Sequence, residues 1–109
     1  MAFGVTKQEL AAWKHSVRSG KVAFLTHFWY DRRFPQYNTV TKAACSDRSR
    51  LIEWGLSYGL RETWIHEERY YPHFDLIGAD EFRILQEEGE LEKLLKLRSR
   101  AGNDHERMI

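Results

Sequence analysis

Val22-Ala23-Phe24-Leu25-Thr26-His27-Phe28-Trp29-Tyr30 is free of charge and rich in β-favouring side chains. In an extended chain Ala23, Leu25, His27, Trp29 and the following Asp31 share one face, and Val22, Phe24, Thr26, Phe28 and Tyr30 share the other. Both faces are apolar, which predicts a strand covered on both sides and placed centrally in its sheet. The run is about half the length a helix needs to cross a bilayer, so it reads as a strand and not an anchor.

Working outward, Thr6 and Glu9 form a capping-box pattern before Leu10, Trp13 and Val17, which predicts a helix over Lys7 to Arg18 ending at Gly20. After the strand, Asp31 to Asn38 holds charge, Pro35 and Asn38 and reads as a loop, with a second strand over Thr39 to Ala44. Ser46 or Asp47 caps a helix carrying Leu51, Ile52, Trp54, Leu56 and Tyr58; Gly59 and Leu60 supply a Schellman stop. A short extended piece at Trp64-Ile65-His66 follows. Strand, helix and strand in this order predict a right-handed crossover onto a parallel neighbour, hence a mixed sheet.

Pro72 biases Tyr71 to Leu76 toward an extended conformation. Two short helices are expected next, from Asp80 to Glu88 and from Glu90 to about Arg98, the second with Leu91, Leu94 and Leu95 as its apolar stripe. Residues 101–109 are polar and unpatterned and are expected to form a mobile tail. The predicted fold class is α+β: a small mixed sheet packed by helices, in a single domain spanning residues 1–100. The 109 residues suit one core, and an apolar fraction of 42% with four Trp is ample to fill it.

The formal charge of +1 gives no overall field for nucleic acid or membrane, so neither is an expected partner. The single Cys45 cannot form an internal disulfide, and Met1 to Val5 shows no secretory pattern; both favour a cytoplasmic setting. Glycines occur in none of the phosphate-loop, dinucleotide or nucleophile-elbow spacings, which disfavours the large nucleotide-enzyme classes.

Leu51 to Leu60 with its Trp54-Gly55-Leu56-Ser57-Tyr58-Gly59-Leu60 end, then Trp64-Ile65, then Pro72-His73-Phe74-Asp75-Leu76, resembles an uncharacterised bacterial and phage domain family. With Ala23 to Trp29, Arg33-Phe34-Pro35 and Thr39 to Lys42, most of residues Met1 to Glu88 resembles the short YneQ-type proteins of bacilli. The resemblance implies a bacterial cytosolic protein. It carries no reaction and no functional residue to this chain.

His27 and Asp31 share the strand face that turns polar at its C-terminal end, Arg32 and Arg33 follow directly, and His73 and Asp75 share a face of the later extended segment. A carboxylate beside an imidazole fixes its tautomer and raises its basicity, and a guanidinium holds carboxylate or phosphate by paired hydrogen bonds. His27, Asp31, Arg32 and Arg33 are therefore the candidate ligand contacts, and His73 with Asp75 the candidate general acid or base and its orienting carboxylate. The competing reading makes His73 and Asp75 a hydrogen-bonded lock between strand and loop.

No metal or other cofactor is expected, because His27, His66, His73 and Asp75 fit no ligand spacing, and His66-Glu67-Glu68 lacks the second His of a zinc helix. Cys45 reads as a small buried residue. Three functions follow: binding of a small anionic ligand or protein partner, helped by Trp29, Tyr30, Phe34, Tyr37, Tyr70 and Tyr71; hydrolysis of a phosphoester or similar substrate; or self-association into a homodimer through the aromatic loop.

Overall fold

The computed structural model describes residues 3–108, and the side chains of residues 3–100. Helix α1 (Lys7–Arg18) starts at the capping box: Thr6 Oγ1 accepts the Glu9 N–H at 3.0 Å. Strands β1 (Ala23–Phe28), β2 (Thr39–Ala44) and β3 (His73–Leu76) form one sheet in that order, and both pairings are antiparallel. Helix α2 (Arg48–Ser57) and a 3-10 turn at Glu62–Trp64 connect β2 to β3, and helices α3 (Gly78–Glu87) and α4 (Leu91–Met108) close the chain. The fold class is α+β.

The layers follow from the alternation of the strands. Phe24, Ala43, Phe74 and Leu76 project to one side and meet Leu51, Ile84, Leu85 and Leu94 in the larger core, so α2, α3 and α4 lie there. Leu25 and Ala44 project to the other side and meet Trp13 and Val17 of α1. Helix α2 seats closely because Gly55 lacks a Cβ: one built there would stand 2.6 Å from the Phe74 ring. Its end is the expected Schellman turn, with Leu60 N–H on Gly55 O at 2.9 Å and Gly59 N–H on Leu56 O at 3.1 Å.

Three expectations are corrected. First, β2 is the central strand and β1 lies at the sheet edge. The apolar faces of β1 are indeed both covered, but covered faces concern helices above and below, whereas centrality concerns backbone pairing to left and right. Second, the sheet is antiparallel and not mixed. His66 pairs antiparallel to His73, so the Ile65–His66 segment runs in the same sense as β2; β3 folds back between them and takes the place expected for a parallel neighbour. Third, α4 continues past Arg98 to Met108 through the stretch read as unpatterned. Helix propagation needs only one further hydrogen bond per residue once a nucleus exists, and that stretch contains no proline. Ile109 lies outside the described residues.

Candidate functional site

Helix α1 covers only part of its sheet face. Over the rest, β1 contributes His27 and the chain leaving it contributes Trp29 and Asp31, while β2 contributes Val40 and Lys42 and β3 contributes Asp75. Lys42 stands opposite Leu25 on one side and Asp75 on the other, which places these side chains on one surface. All of these except Leu25, together with Arg33, Phe34, His66 and Ile77, line a cavity of about 330 Å³.

His27 is 6% exposed. Its Nδ1 lies 3.0 Å from the Phe28 carbonyl oxygen, and an oxygen acceptor requires that Nδ1 carry the proton. Nε2 is then a lone-pair acceptor, and it is buried with no hydrogen-bond partner among the described residues. Burial lowers the pKa of this imidazole; the Phe28 carbonyl opposes that, Lys42 reinforces it and Asp75 opposes it. A neutral ring with an unused acceptor is the consequence.

Asp31 and Arg33 occupy one another. Asp31 Oδ1 accepts the Arg33 backbone N–H at 2.8 Å, and the guanidinium donates from Nε to Oδ1 at 3.0 Å and from Nη2 to Oδ2 at 2.6 Å. The Arg33 hydrogen bonds hold the Asp31 carboxyl down to about 2. Arg33 also lies over the Phe34 ring at 5.5 Å, and Trp29, Phe34 and Tyr37 form a stacked row with centroid separations of 6.2 and 6.4 Å. Arg32 is exposed and is not part of the cavity wall.

Asp75 lies against two imidazoles. His66 Nε2 lies 3.0 Å from Oδ2, and His73 Nε2 lies 3.5 Å from Oδ1. The two rings stack at 5.3 Å and 16°, held in register by the backbone bonds His66 N–H to His73 O at 2.8 Å and His73 N–H to His66 O at 3.2 Å. Their circumstances differ. The His73 side chain is 3% exposed with Nδ1 donating to the Tyr71 carbonyl at 2.9 Å, whereas that of His66 is 60% exposed and lines the cavity. The imidazole that meets solvent beside Asp75 is thus His66.

The structure brings His27, Asp31, Arg33 and Asp75 to one cavity, seats His73 behind its wall and leaves Arg32 outside. Lys42 and His66 were not singled out as contacts by the sequence. Lys42 could have been found only by knowing the β1–β2 register, and His66 by noticing that Ile65-His66 and Pro72-His73 could pair as a hairpin. Among the described residues, Lys42 forms no ion pair, and no group of three or more His, Cys, Asp or Glu stands close enough to hold a metal. Cys45 is fully buried, and burial pushes its thiol up, away from nucleophilic use. Of the remaining aromatics, Tyr71 stacks on Trp13 at 5.6 Å and belongs to the packing of α1, while Tyr30 is 78% exposed.

Fold and cavity together define a small α+β protein with a mixed-polarity cavity on the partly open face of an antiparallel sheet. The chain belongs to the YneQ family: it is 49% identical over 96 residues to the uncharacterised protein YneQ of Bacillus subtilis (strain 168), a span covering 88% of this chain and 97% of that protein. No family model matches the chain, and no solved structure matches it. Among the described residues no helix is long and apolar enough to cross a membrane.

Proposed function

We propose that the chain is a binding protein for a small molecule carrying both an anionic group and a hydroxyl or amine, seated over His27 and Lys42. The observation that carries this reading is the His27 side chain, which lines the cavity and whose Nε2 is buried and unused. A buried acceptor without a partner is unfavourable by roughly 1–3 kcal/mol, and a ligand O–H or N–H would relieve it. The Lys42 ammonium, unpaired among the described residues, supplies the attraction for an anion. Asp31 and Arg33 neutralise one another, so their part is to brace the Phe34 and Trp29 wall. The cavity volume of about 330 Å³ suits a ligand of metabolite size.

The test is a titration of the full chain with inorganic phosphate, glycerol phosphate and small hydroxycarboxylates, followed at the His27 imidazole nitrogens by NMR. Binding should move the Nε2 resonance toward a hydrogen-bonded value, and Lys42→Met should weaken it at least about tenfold, the loss of one charge-assisted hydrogen bond. If every probe leaves Nε2 unmoved, or Lys42→Met binds as well as the parent chain, the reading fails.

One observation favours a second reading, catalysis. The His66 imidazole, oriented by Asp75 at 3.0 Å and open to the cavity, has the geometry of a general acid or base. On this reading the role expected of His73 passes to His66, and His73 positions Asp75. A phosphoester hydrolysis assay checks it: His66→Gln should abolish turnover, and undiminished turnover in that variant would remove the reading.

A further inference from the structure

We propose that the outer edge of β1 is a docking site for an extended acidic segment of a partner protein, which adds as a strand beside Val22–Thr26. The direction of the β1 backbone groups is set by two hydrogen bonds. Trp29 N–H bonds inward to Asn38 O at 2.9 Å, and Phe28 N–H bonds outward to Phe3 O at 2.8 Å. Alternation then points the N–H and C=O groups of Thr26 and Phe24 outward, on the same side as those of Phe28. Among the described residues neither of these N–H groups has a partner.

Phe3 shows that this edge accepts a strand, and Gly4 shows why the pairing does not continue from Phe3 toward Thr26. Gly4 has φ +84°, a conformation that turns the chain off the edge toward the start of α1. A Cβ there would stand 2.5 Å from the Phe28 ring and 2.7 Å from Leu97, so the turn is tightly enclosed. Beyond it the β1 edge is the floor of a groove of about 620 Å³, with Trp13 and Ser16 of α1 on one wall and Lys96 and Leu97 of α4 on the other.

The walls decide the occupant. A second copy would present its own β1 edge from the bottom of an identical groove, and two such recessed edges cannot meet. A single extended peptide can enter, and the mode is strand addition, in which backbone bonds supply affinity and the walls supply selectivity. Two ion pairs are already made at the rim, Arg100 with Glu9 at 2.9 Å and Lys93 with Glu90 at 3.5 Å. Of the remaining charges Lys21 and Lys96 face Glu92 alone, so the free balance is cationic and favours an acidic segment.

The experiment uses the full chain, isotope-labelled, and a panel of blocked peptides alternating Thr and Val with Asp at both ends. In the free chain the Phe24 and Thr26 amides should exchange quickly while those of Leu25 and His27 are protected; peptide should slow Phe24 and Thr26 at least about tenfold and leave the other two unchanged. N-methylation of the peptide at one set of alternate residues should abolish the effect and at the other set spare it. Lys in place of the peptide's Asp residues, or Lys96→Glu in the chain, should weaken binding several-fold. The proposal is overturned if the Phe24 and Thr26 amides are already protected in the dilute free chain. It is equally overturned if protection rises with protein concentration alone alongside a dimer, or if no peptide of the panel protects them.

Discussion

His66 and His73 are the same side chain under opposite constraints. His73 is enclosed, with Nδ1 on the Tyr71 carbonyl and Nε2 toward Asp75, so removing it leaves the buried end of that carbonyl without its donor. His73→Ala is expected to lower unfolding free energy by about 1–3 kcal/mol in urea denaturation. His66 is 60% exposed, and its pairing with Asp75 is partly in water, so His66→Ala should change stability by less than about 1 kcal/mol. Equal losses in the two variants would contradict the assignment of one as lock and the other as solvent-facing. Sequence reading placed His73 and Asp75 on one face correctly, because two residues apart on a strand is a local fact. It weighed His66 only as a metal ligand and set it aside, because the stacking of His66 on His73 depends on a hairpin that joins Ile65-His66 to β3 across Glu67 to Pro72.

At the scale of elements, the caps of α1 and α2 were legible, whereas the far end of α4 and the strand neighbours were not. The α1 capping box, the Asp47 cap on the Arg50 N–H and the Gly59 stop are written in short local patterns. The order β1-β2-β3 is not, since Thr39 to Ala44 has a less apolar composition than Val22 to Tyr30 yet takes the centre. Its Thr39 and Thr41 are made compatible with burial by hydrogen bonds to a partner on α3 and, for Thr41, to Thr26 of β1. The α2–sheet contact gives a prediction at this scale. Gly55→Ala would gain about 1 kcal/mol of helix propensity in the open, but here the new methyl must displace the Phe74 ring, which also touches Trp54 at a centroid separation of 6.2 Å. A net loss of about 1–3 kcal/mol is expected from overpacking, read from the denaturation midpoint. A variant as stable as the parent would show that the ring moves freely and that the close approach is not a constraint.

Across the whole molecule, the buried carboxyl of Glu81 ties α3 to the sheet. Thr39 donates to Oε1 at 2.7 Å, Thr41 donates to Oε2 at 2.9 Å, and Thr26 and Thr41 share a hydrogen bond of 2.7 Å. Burial raises the Glu81 pKa above its ordinary 4.5, and the two Thr donors and the Arg98 charge oppose that rise without cancelling it. The folded chain therefore holds this proton more tightly than the unfolded chain. The stabilisation is complete below the unfolded pKa and is lost as pH rises through the folded one. Glu81→Gln does not titrate, so the stability of the parent relative to this variant should decline as pH rises from about 4 to 8 in a series of thermal melts. A relative stability that climbs with pH would mean that the Thr bonds outweigh burial and that the carboxylate is the resident form.

What the sequence determined by itself is local: the helices and their caps, the extended character of three segments, the family, and the candidate polar residues at strand ends. Those features depend on residues within a few positions of one another, where propensity, capping and alternation act. Tertiary structure decided that β2 is central, that the sheet is antiparallel, that Lys42 and His66 stand beside His27 and Asp75, and that Glu81 sits under two threonines. Each of these depends on register and on which segment folds back between two others. Such choices are settled by the summed burial of distant side chains, and no short stretch of the chain records them.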